Sequence, residues 1–401
     1  MRSNTRPWAP LLEKDQLARS ETGSAEQVSW EANKLSNVVH EIRLDKTKRL
    51  AAQSANGHNR WHPDIPPILK VDPGDEVMLD TLDAADRQIL PTSSLEDVAK
   101  CDLNVAHPLT GPIWVNGAQA GDLLEIQLLD IIADDSGWTA QLPGFGFLRD
   151  LFDEPHLVRW RLGSGFAETP DLPGVRIPEA SFPGVIGVAP SRAQMHRIIA
   201  RERATAERGG FVLPPERRSA IPSTEPIASE GLRTIPPRET GGNLDVKQLV
   251  KGTTVYLPLW TDGAMFSIGD AHFAQGDGEV CGTAIEMGAM FHLRFELHKG
   301  AARQRGINGV QFSGTEEPRP RRRYYATTGL SMKGEVQESE DVTLASRNAL
   351  LAMIDYLQQR GFNRQQAYAI CSVAVDLRVS EVVDVPNFVV TAFLPLDIFV
   401  K

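Results

Sequence analysis

Residues 118–131, AQAGDLLEIQLLDI, show the alternation that decides the fold class. A Gly-Asp turn opens the segment, and Leu124, Ile126 and Leu128 then fall on one face, with Asp130 next in the same series. A period of two is that of a β-strand, in which successive side chains point to opposite sides. The segment therefore predicts a half-buried strand.

The same pattern recurs along the chain. Residues 71–84, VDPGDEVMLDTLDA, also follow a Gly-Asp turn, and residues 252–260, GTTVYLPLW, lead into FSIGD at 266–270. The 33 glycines and 27 prolines separate short apolar runs, as tight turns require. The pattern predicts a mainly β protein (β-rich α+β) with a jelly-roll-like β-sandwich core, an additional β-barrel and C-terminal α/β elements.

Helical signals are confined to a few segments. Residues 341–362 give the strongest signal, with Leu350 and Ile354 on one face and Gly361 placed to end the helix. Three further elements are predicted: a helix at 191–208 that begins at a cap-like serine, a short helix from 363 to about 373, and a closing strand at 387–399.

These elements divide the chain into four predicted parts. They are an N-terminal arm (1–35), a β-rich N-terminal domain (36–190), a helix with a long Pro/Gly loop (191–245), and a β-rich domain with C-terminal helices that shares the active site with the N-terminal domain (246–401).

Composition and charge restrict the class of protein. The 401 residues are 41% hydrophobic and 23% charged, with a net charge of −10. This acidity argues against nucleic-acid and anionic-membrane partners. Three distant cysteines and the lack of a signal-like or membrane-spanning apolar run predict a reducing, cytoplasmic location.

Residues 269–286, GDAHFAQGDGEVCGTAIE, form the densest polar cluster. Asp270 and His272 are two residues apart, so on an extended chain both side chains can reach one divalent ion such as Zn²⁺. Glu279 follows a Gly-Asp-Gly turn and could act as a general base on water. The alternative is a hairpin turn with solvated acids. Cys281 has acidic neighbours, which disfavour a thiolate nucleophile.

Two other polar clusters precede it. In GGNLDVK, the side chains of Asn243, Asp245 and Lys247 alternate along one face. Asn243 and Lys247 could donate hydrogen bonds to a developing oxyanion, while Asp245 binds metal or holds Lys247; a purely structural Lys–Asp pair is the alternative. In HNRWHPD, from His58, the prolines argue against a helical zinc motif, and His58 could equally be a core histidine.

Taken together, the motifs resemble the acetamidase/formamidase family. The matching segments fall in order between about residue 36 and residue 399, and they are HNRWHPDIPP (58–67), GPIWVNGAQAGDLLEIQLLDI (111–131), FPGVIGVAP (182–190), RTIPPRETGGNLDVKQL (233–249), GDAHFAQGDGEVCGTAIEM (269–287) and VVDVPN (382–387). The combination of GGNxDxK with GDxHxxQGDGE is far more specific than either piece alone.

The resemblance implies a β-rich, homo-oligomeric hydrolase that cleaves small aliphatic amides such as formamide and acetamide, and a metal is associated with such folds. We assign catalysis to Glu279, Asp245, Lys247 and Asn243, and metal binding to Asp270 and His272. Substrate contacts are assigned to His58, Trp61, Gln275 and Asp277. The metal is expected to be Zn²⁺ or another divalent ion such as Ca²⁺.

Two positions depart from the pattern PPREHGGNCD that is common in formamidase-like members. Thr240 stands in place of the histidine and Leu244 in place of the cysteine. The loss of an imidazole there predicts a change in size preference or metal geometry. A noncatalytic Ca²⁺- or carbohydrate-binding module of jelly-roll type is the alternative from another class, and a thiol amidase that uses Cys281 is a weaker variant.

Overall fold

The computed structural model describes residues 38–163, 165–315 and 323–400. The N-terminal arm predicted for residues 1–35 lies outside this range. The strands are β1 (Val39–Ile42), β2 (Gly57–His58), β3 (Arg60–Trp61), β4 (Leu69–Val71), β5 (Glu76–Thr81), β6 (Leu109–Val115), β7 (Leu123–Ala133), β8 (Ser136–Gln141), β9 (His156–Gly163), β10 (Phe166–Glu168), β11 (Arg176–Pro178), β12 (Phe182–Val188), β13 (Leu232–Arg233), β14 (Gly241–Asn243), β15 (Thr254–Pro258), β16 (Phe266–His272), β17 (Glu286–Met287), β18 (Ala289–His298), β19 (Gln311–Ser313), β20 (Tyr324–Leu330), β21 (Met332–Lys333), β22 (Val336–Gln337), β23 (Asp376–Glu381) and β24 (Val389–Pro395).

Helices are fewer than strands in the described chain. They are α1 (Leu95–Ala99), α2 (Arg192–Glu207), α3 (Ile227–Glu230), α4 (Ala301–Arg305), α5 (Val342–Gln359) and α6 (Arg364–Ala374), with 3-10 turns at Leu50–Asn56 and Leu396–Ile398. The predicted helices correspond to α2, α5 and α6, and the predicted closing strand to β24. None of the helices in the described ranges is both long and apolar enough to cross a membrane.

Two large sheets dominate the structure. The first has the order β1-β5-β18-β7-β15-β19, and the second follows the path β11-β10-β9-β8-β17-β16-β12-β14, with β6 pairing to β16 and joining β2 and β4 to the sheet. The prediction of a mainly β fold is confirmed. The strand orders leave the described sheets open, because β1 and β19 are unpaired edges of the first sheet, so the additional β-barrel that we predicted is absent from the described residues.

The two large sheets pack face to face across one hydrophobic core. Phe266 of β16 meets Phe295 of β18 edge to face, with ring centroids 5.2 Å apart, a favourable geometry for aromatic rings. The core includes residues from Ile42, the last residue of β1, to Ile398 in the final 3-10 turn. This packing fixes β16, the strand that carries Asp270 and His272.

The alternation in residues 118–131 produces β7 as predicted. Leu124, Ile126 and Leu128 are buried. The register with β18 then shifts, because Asp130 faces His292 while Leu128 faces Leu293. This bulge turns the strand by one residue, so that Ile131, and not Asp130, continues the buried face.

Helix α5 covers the small C-terminal sheet, which has the order β20-β24-β23. Its cap is Asp341, whose carboxylate accepts a hydrogen bond from the backbone N–H of Leu344 at 2.9 Å. Leu350 and Ile354 are buried, as the periodicity predicts, and Gly361 has a φ of 98° just beyond the helix end.

Gly329 marks the contact between α5 and β20. A Cβ at this position would overlap the backbone oxygen of Ala345 and the backbone nitrogen of Ala349. We therefore expect Gly329→Ala to lower the free energy of unfolding by about 1–3 kcal/mol through overpacking. Urea denaturation measures this change, and Gly309→Ala is the control because an added Cβ there meets no atom within 4 Å. Equal stabilities of the two variants would contradict the close packing of α5 on β20.

Candidate functional site

Strand β16 places Asp270 and His272 on the same face of the second sheet. The strand is buried throughout and pairs with β12 on one side and with β17 and β6 on the other. His272 Nε2 lies 3.4 Å from Asp270 Oδ1. The structure thus brings together the two side chains for which the sequence suggested a shared target, although Asp270, with a φ of 55°, departs from the extended conformation assumed there.

Glu286 on the neighbouring strand β17 completes this group. It stands directly opposite His272 in the strand register, and its Oε2 lies 3.2 Å from His272 Nε2. The backbone N–H of Ala284 donates to its other oxygen at 2.8 Å. Asp270, His272 and Glu286 are each no more than 2% exposed. The site thus contains a buried imidazole held between two carboxylates.

Asp245 enters the site from the chain that follows β14. The backbone N–H groups of Leu244 and Asp245 donate to the carbonyl of Gly184 at 2.9 and 3.3 Å. Gln275 connects Asp245 to His272: its Oε1 pairs with His272 Nδ1 at 2.9 Å, and its Nε2 donates to the Asp245 carbonyl at 2.9 Å. Gln275 therefore orients the imidazole and does not line the cavity described below.

Glu279 lies on the Gly-rich loop after β16 and is only partly buried. Ligand atoms of Glu279, Asp245 and His272 lie within 4.8 Å of one another. Burial and the neighbouring charge of Asp245 raise the pKa of Glu279 well above its usual range. A carboxyl group with a raised pKa in contact with a cavity can carry a proton near neutral pH.

Helix α6 supports the loop that carries Glu279. The hydroxyl of Tyr368 donates to the carbonyl of Val280, and the backbone N–H of Cys281 donates to Ser372 Oγ at 3.0 Å. Gly276 packs against the end of the helix, where a Cβ would clash with the backbone of Val375. The loop is therefore fixed by the C-terminal part of the chain.

The acidic groups perturb one another because they share a desolvated volume. Burial raises the pKa of both Asp245 and Glu286 to about 7. Burial opposes the charged form of His272, but the carboxylates of Glu286 and Asp270 outweigh it and raise the pKa of the imidazole well above its usual value. Burial acts to raise the pKa of Asp270, but the charges of His107 and His272 outweigh it, and the pKa is lowered.

A cavity of about 60 Å³ opens beside this cluster. Its polar wall includes Asn243, Asp270, Glu279 and Glu286. The rest of the wall is largely apolar and is formed by Ala84, Ala85, Cys101, Leu103, Ala106, Trp138, Leu142, Phe145, Ile235 and Gly282, together with His107 and Thr283. The site is thus a small chamber whose wall combines a few acidic groups with a larger amount of hydrocarbon.

The buried cluster has the donor set of a metal site. Two overlapping groups, Asp245–His272–Glu279 and Asp270–His272–Glu286, each have ligand atoms within 4.8 Å of one another. Asp245 Oδ1, Asp270 Oδ1, His272 Nε2 and Glu286 Oε2 are buried and have no hydrogen-bond partner among the described residues. Buried polar atoms are normally paired, and a cation held by either group would satisfy the unpaired atoms of that group. Carboxylates with an imidazole suit Zn²⁺ better than Ca²⁺, which prefers oxygen ligands.

Besides Asp245, His272 and Gln275, which belong to the acidic cluster or contact it, four residues with predicted roles lie outside the lining of the cavity. Lys247 forms an ion pair with Asp376, and Asp277 lies 3.5 Å from the Lys247 ammonium. His58 Nε2 is 2.7 Å from Ser267 Oγ, and burial lowers the pKa of His58 to about 4. Trp61 packs edge-on against His58 in the interior. The four form contacts within the protein, and their assigned roles stay predictions.

The two family departures also lie outside the lining of this cavity. Thr240 is buried, and its carbonyl accepts a hydrogen bond from the backbone N–H of Val188 at 3.0 Å. Leu244 packs against the main hydrophobic core. The structure thus gives both residues packing contacts.

Sequence reasoning missed two members of the site. His107 lies just before β6, with its Nε2 3.8 Å from Asp270 Oδ2. Glu286 ends the quoted Gly-rich stretch but received no role. Neither residue has a recognisable spacing to Asp270, because the strand pairing that brings them together cannot be read from one sequence. The available signal for Glu286 was its place at the end of the glycine-rich acidic stretch.

The fold and site define a mainly β protein with a buried acidic centre suited to hydrolysis. The family model for the Acetamidase/Formamidase family matches residues 43–401. A formamidase of Methylophilus methylotrophus is 36% identical over 379 residues, covering 89% of this chain and 93% of the relative. An acetamidase of Mycolicibacterium smegmatis is 36% identical over 357 residues, covering 82% and 87%.

A solved structure agrees with these matches. It is a gamma lactamase from Delftia acidovorans, similar to this chain with a TM-score of 0.85 and 36% identity over 90% of this chain and 93% of that one. The chain belongs to the acetamidase/formamidase family.

Gly184 allows the acidic cluster to form. A Cβ at this position would lie 2.6 Å from Asp270 Oδ2 and 2.7 Å from Asp245 Oδ1. We expect Zn²⁺ to raise the melting temperature of the wild-type protein, and we expect Gly184→Ala to abolish this rise because it displaces the two carboxylates. Thermal unfolding with and without Zn²⁺ measures this. Gly309→Ala, in open space, should keep the wild-type response; an unchanged response in Gly184→Ala would contradict the close approach.

Proposed function

We propose that the chain hydrolyses the C–N bond of short aliphatic amides to give a carboxylate and ammonia. The names of its relatives, formamidase and acetamidase, support this reaction class. The observation that carries the proposal is the side-chain amide of Asn243. It lines the cavity beside Glu279, and its oxygen is buried without a hydrogen-bond partner among the described residues.

The Asn243 amide is complementary to a primary amide. Each partner offers an N–H donor and a carbonyl acceptor, so the two can form a pair of hydrogen bonds. A substrate bound in this way has its carbonyl oxygen and its nitrogen at fixed positions next to Glu279. Because the rest of the chamber wall is largely apolar, the short alkyl group of the amide faces hydrocarbon.

The size of the cavity favours short amides. A buried water needs roughly 10–15 Å³ of such volume, so about 60 Å³ has room for roughly four or five water-sized groups. Formamide and acetamide fall within this limit. A small substrate brings little remote binding energy, and a preformed, rigid pocket is therefore required.

Glu279 is the residue we assign to proton transfer. The oxygen of a water attacks the carbonyl carbon while Glu279 accepts one of its protons. The C–N bond then breaks, and Glu279 returns the proton to the departing nitrogen, which leaves as ammonia. Asn243 donates to the carbonyl oxygen as negative charge develops there.

Asp270, His272, Glu286 and Asp245 would hold the divalent cation. When bound, such an ion supplies activation of water and polarisation of a carbonyl. The chain contributes the rigid strands that carry the ligands and the Gln275 contact that orients the imidazole of His272. The alternative of a noncatalytic Ca²⁺-binding module is not favoured, since an imidazole lies at the centre of the cluster. A cytoplasmic location, expected from the sequence, and a homo-oligomeric state, implied by the family resemblance, are also part of the proposal.

Replacing Glu279 with glutamine tests proton transfer. Glu279→Gln keeps the size of the side chain but removes its ability to accept a proton, so we expect ammonia release from acetamide or formamide to fall by about 10²–10⁴-fold. Glu338→Gln, the same change at an exposed position, is the control and should leave turnover unaltered. Turnover of Glu279→Gln close to that of the wild type would remove Glu279 from the mechanism.

Removal of metal tests the role of the acidic cluster. The assay measures ammonia release from a panel of formamide, acetamide, propionamide and longer amides. We expect dialysis against a chelator to stop this release and the addition of Zn²⁺ to restore it. Elemental analysis should find a divalent metal in the wild-type protein and much less in Glu286→Gln, because the variant lacks one buried ligand. Full activity without detectable metal would contradict this assignment.

A further inference from the structure

Trp138 lies in the wall of the cavity but has no role in the reaction proposed above. It lies on β8 and stands directly opposite Glu286 in the strand register. Residues opposite each other on neighbouring strands project from the same face of a sheet. Both residues line the cavity described above, so the indole ring stands beside the acidic cluster.

The indole nitrogen of Trp138 is buried and has no hydrogen-bond partner among the described residues. The residue is 6% exposed. By contrast, the indole nitrogen of Trp160, which is equally interior, donates to Thr139 Oγ1 at 2.9 Å. Leaving a buried donor unpaired costs about 1–3 kcal/mol, so an acceptor bound in the cavity beside Trp138 would gain this hydrogen bond.

The chemistry of the surrounding wall defines that ligand. Asp270, Glu279 and Glu286 can donate only in their protonated forms, so none of them is a permanent donor to an oxygen of the substrate. The hydroxyl of Thr283 already donates to the carbonyl of Ala140 at 2.9 Å. The indole N–H, in contrast, is a donor only and keeps its proton at every working pH.

We propose that the indole N–H of Trp138 donates a hydrogen bond to the carbonyl oxygen of the bound amide, as a second donor beside Asn243. The inference rests on the proposed amide hydrolysis. A fixed neutral donor stabilises the carbonyl oxygen most when negative charge develops on it. Trp138 thereby selects substrates with an acceptor oxygen at this point of the chamber.

Trp138 lines two cavities, and this determines which substitutions can test the proposal. Trp138 and Glu286 line a second cavity, bordered by Lys46, Arg87 and Asp134. Truncation to alanine would open the chamber toward this second cavity, and activity would then be lost for a reason unrelated to the N–H group. Substitutions that keep an aromatic ring at position 138 are therefore needed.

The experiment compares steady-state kcat and KM for ammonia release in wild type, Trp138→Phe and a protein with 3-benzothienylalanine at position 138. The latter analogue replaces the N–H by sulfur and keeps the bicyclic shape. We expect kcat/KM to fall by about 10²–10³-fold in both variants, mainly through kcat, as on removal of one donor to an oxyanion. Trp260→Phe is the matched control, because its indole nitrogen is also buried and unpaired within the described chain but does not line either cavity.

The outcomes separate this inference from the proposed function. If kcat/KM of the benzothienylalanine protein stays within twofold of the wild-type value, the role of the Trp138 N–H is overturned and amide hydrolysis still stands. A wild-type protein that releases no ammonia from any amide of the panel would overturn both. If Trp138→Phe fails to fold, as judged by its circular dichroism, the benzothienylalanine protein decides the question.

Discussion

The crowding of buried carboxylates around one imidazole constrains the rest of the structure. Asp245, Asp270, Glu279 and Glu286 surround His272, and together they carry more potential negative charge than a single imidazolium can neutralise. Desolvated charges are costly unless they are paired. The cluster relieves this cost partly by holding protons, as the raised pKa values show, and its unpaired ligand atoms are arranged to take up positive charge.

The fold places the groups of the site on two kinds of backbone, paired strands and a glycine-rich loop that α6 supports. Asp270, His272 and Glu286 belong to adjacent strands whose register is fixed by the core between two sheets. Glu279, the proposed proton carrier, belongs to a glycine-rich loop at the rim of the chamber. Ligands for a cation benefit from fixed positions, and a group that exchanges protons benefits from contact with the cavity.

How far the sequence predicts this protein depends on the range of each interaction. The alternation in β7 was readable because a strand repeats every two residues, and the caps of α2 and α5 were readable because they are local. The Asp270–His272 pair followed from the same short period. The ion pair of Lys247 could not be predicted from the sequence, since its partner Asp376 is 129 residues away and follows helices α5 and α6. The pairing of Glu286 with His272, and the shift at the β7 bulge, likewise depend on strand register.

The support that α6 gives to the Glu279 loop links the site to the order of synthesis. Ser372 contacts the backbone of Cys281 from 91 positions further along the chain. A ribosome-bound polypeptide that already contains every ligand of the acidic centre still lacks the helix that holds the loop. The loop that carries Glu279 is therefore held in place only after α6 has been synthesised, so its support arrives later than the ligands themselves.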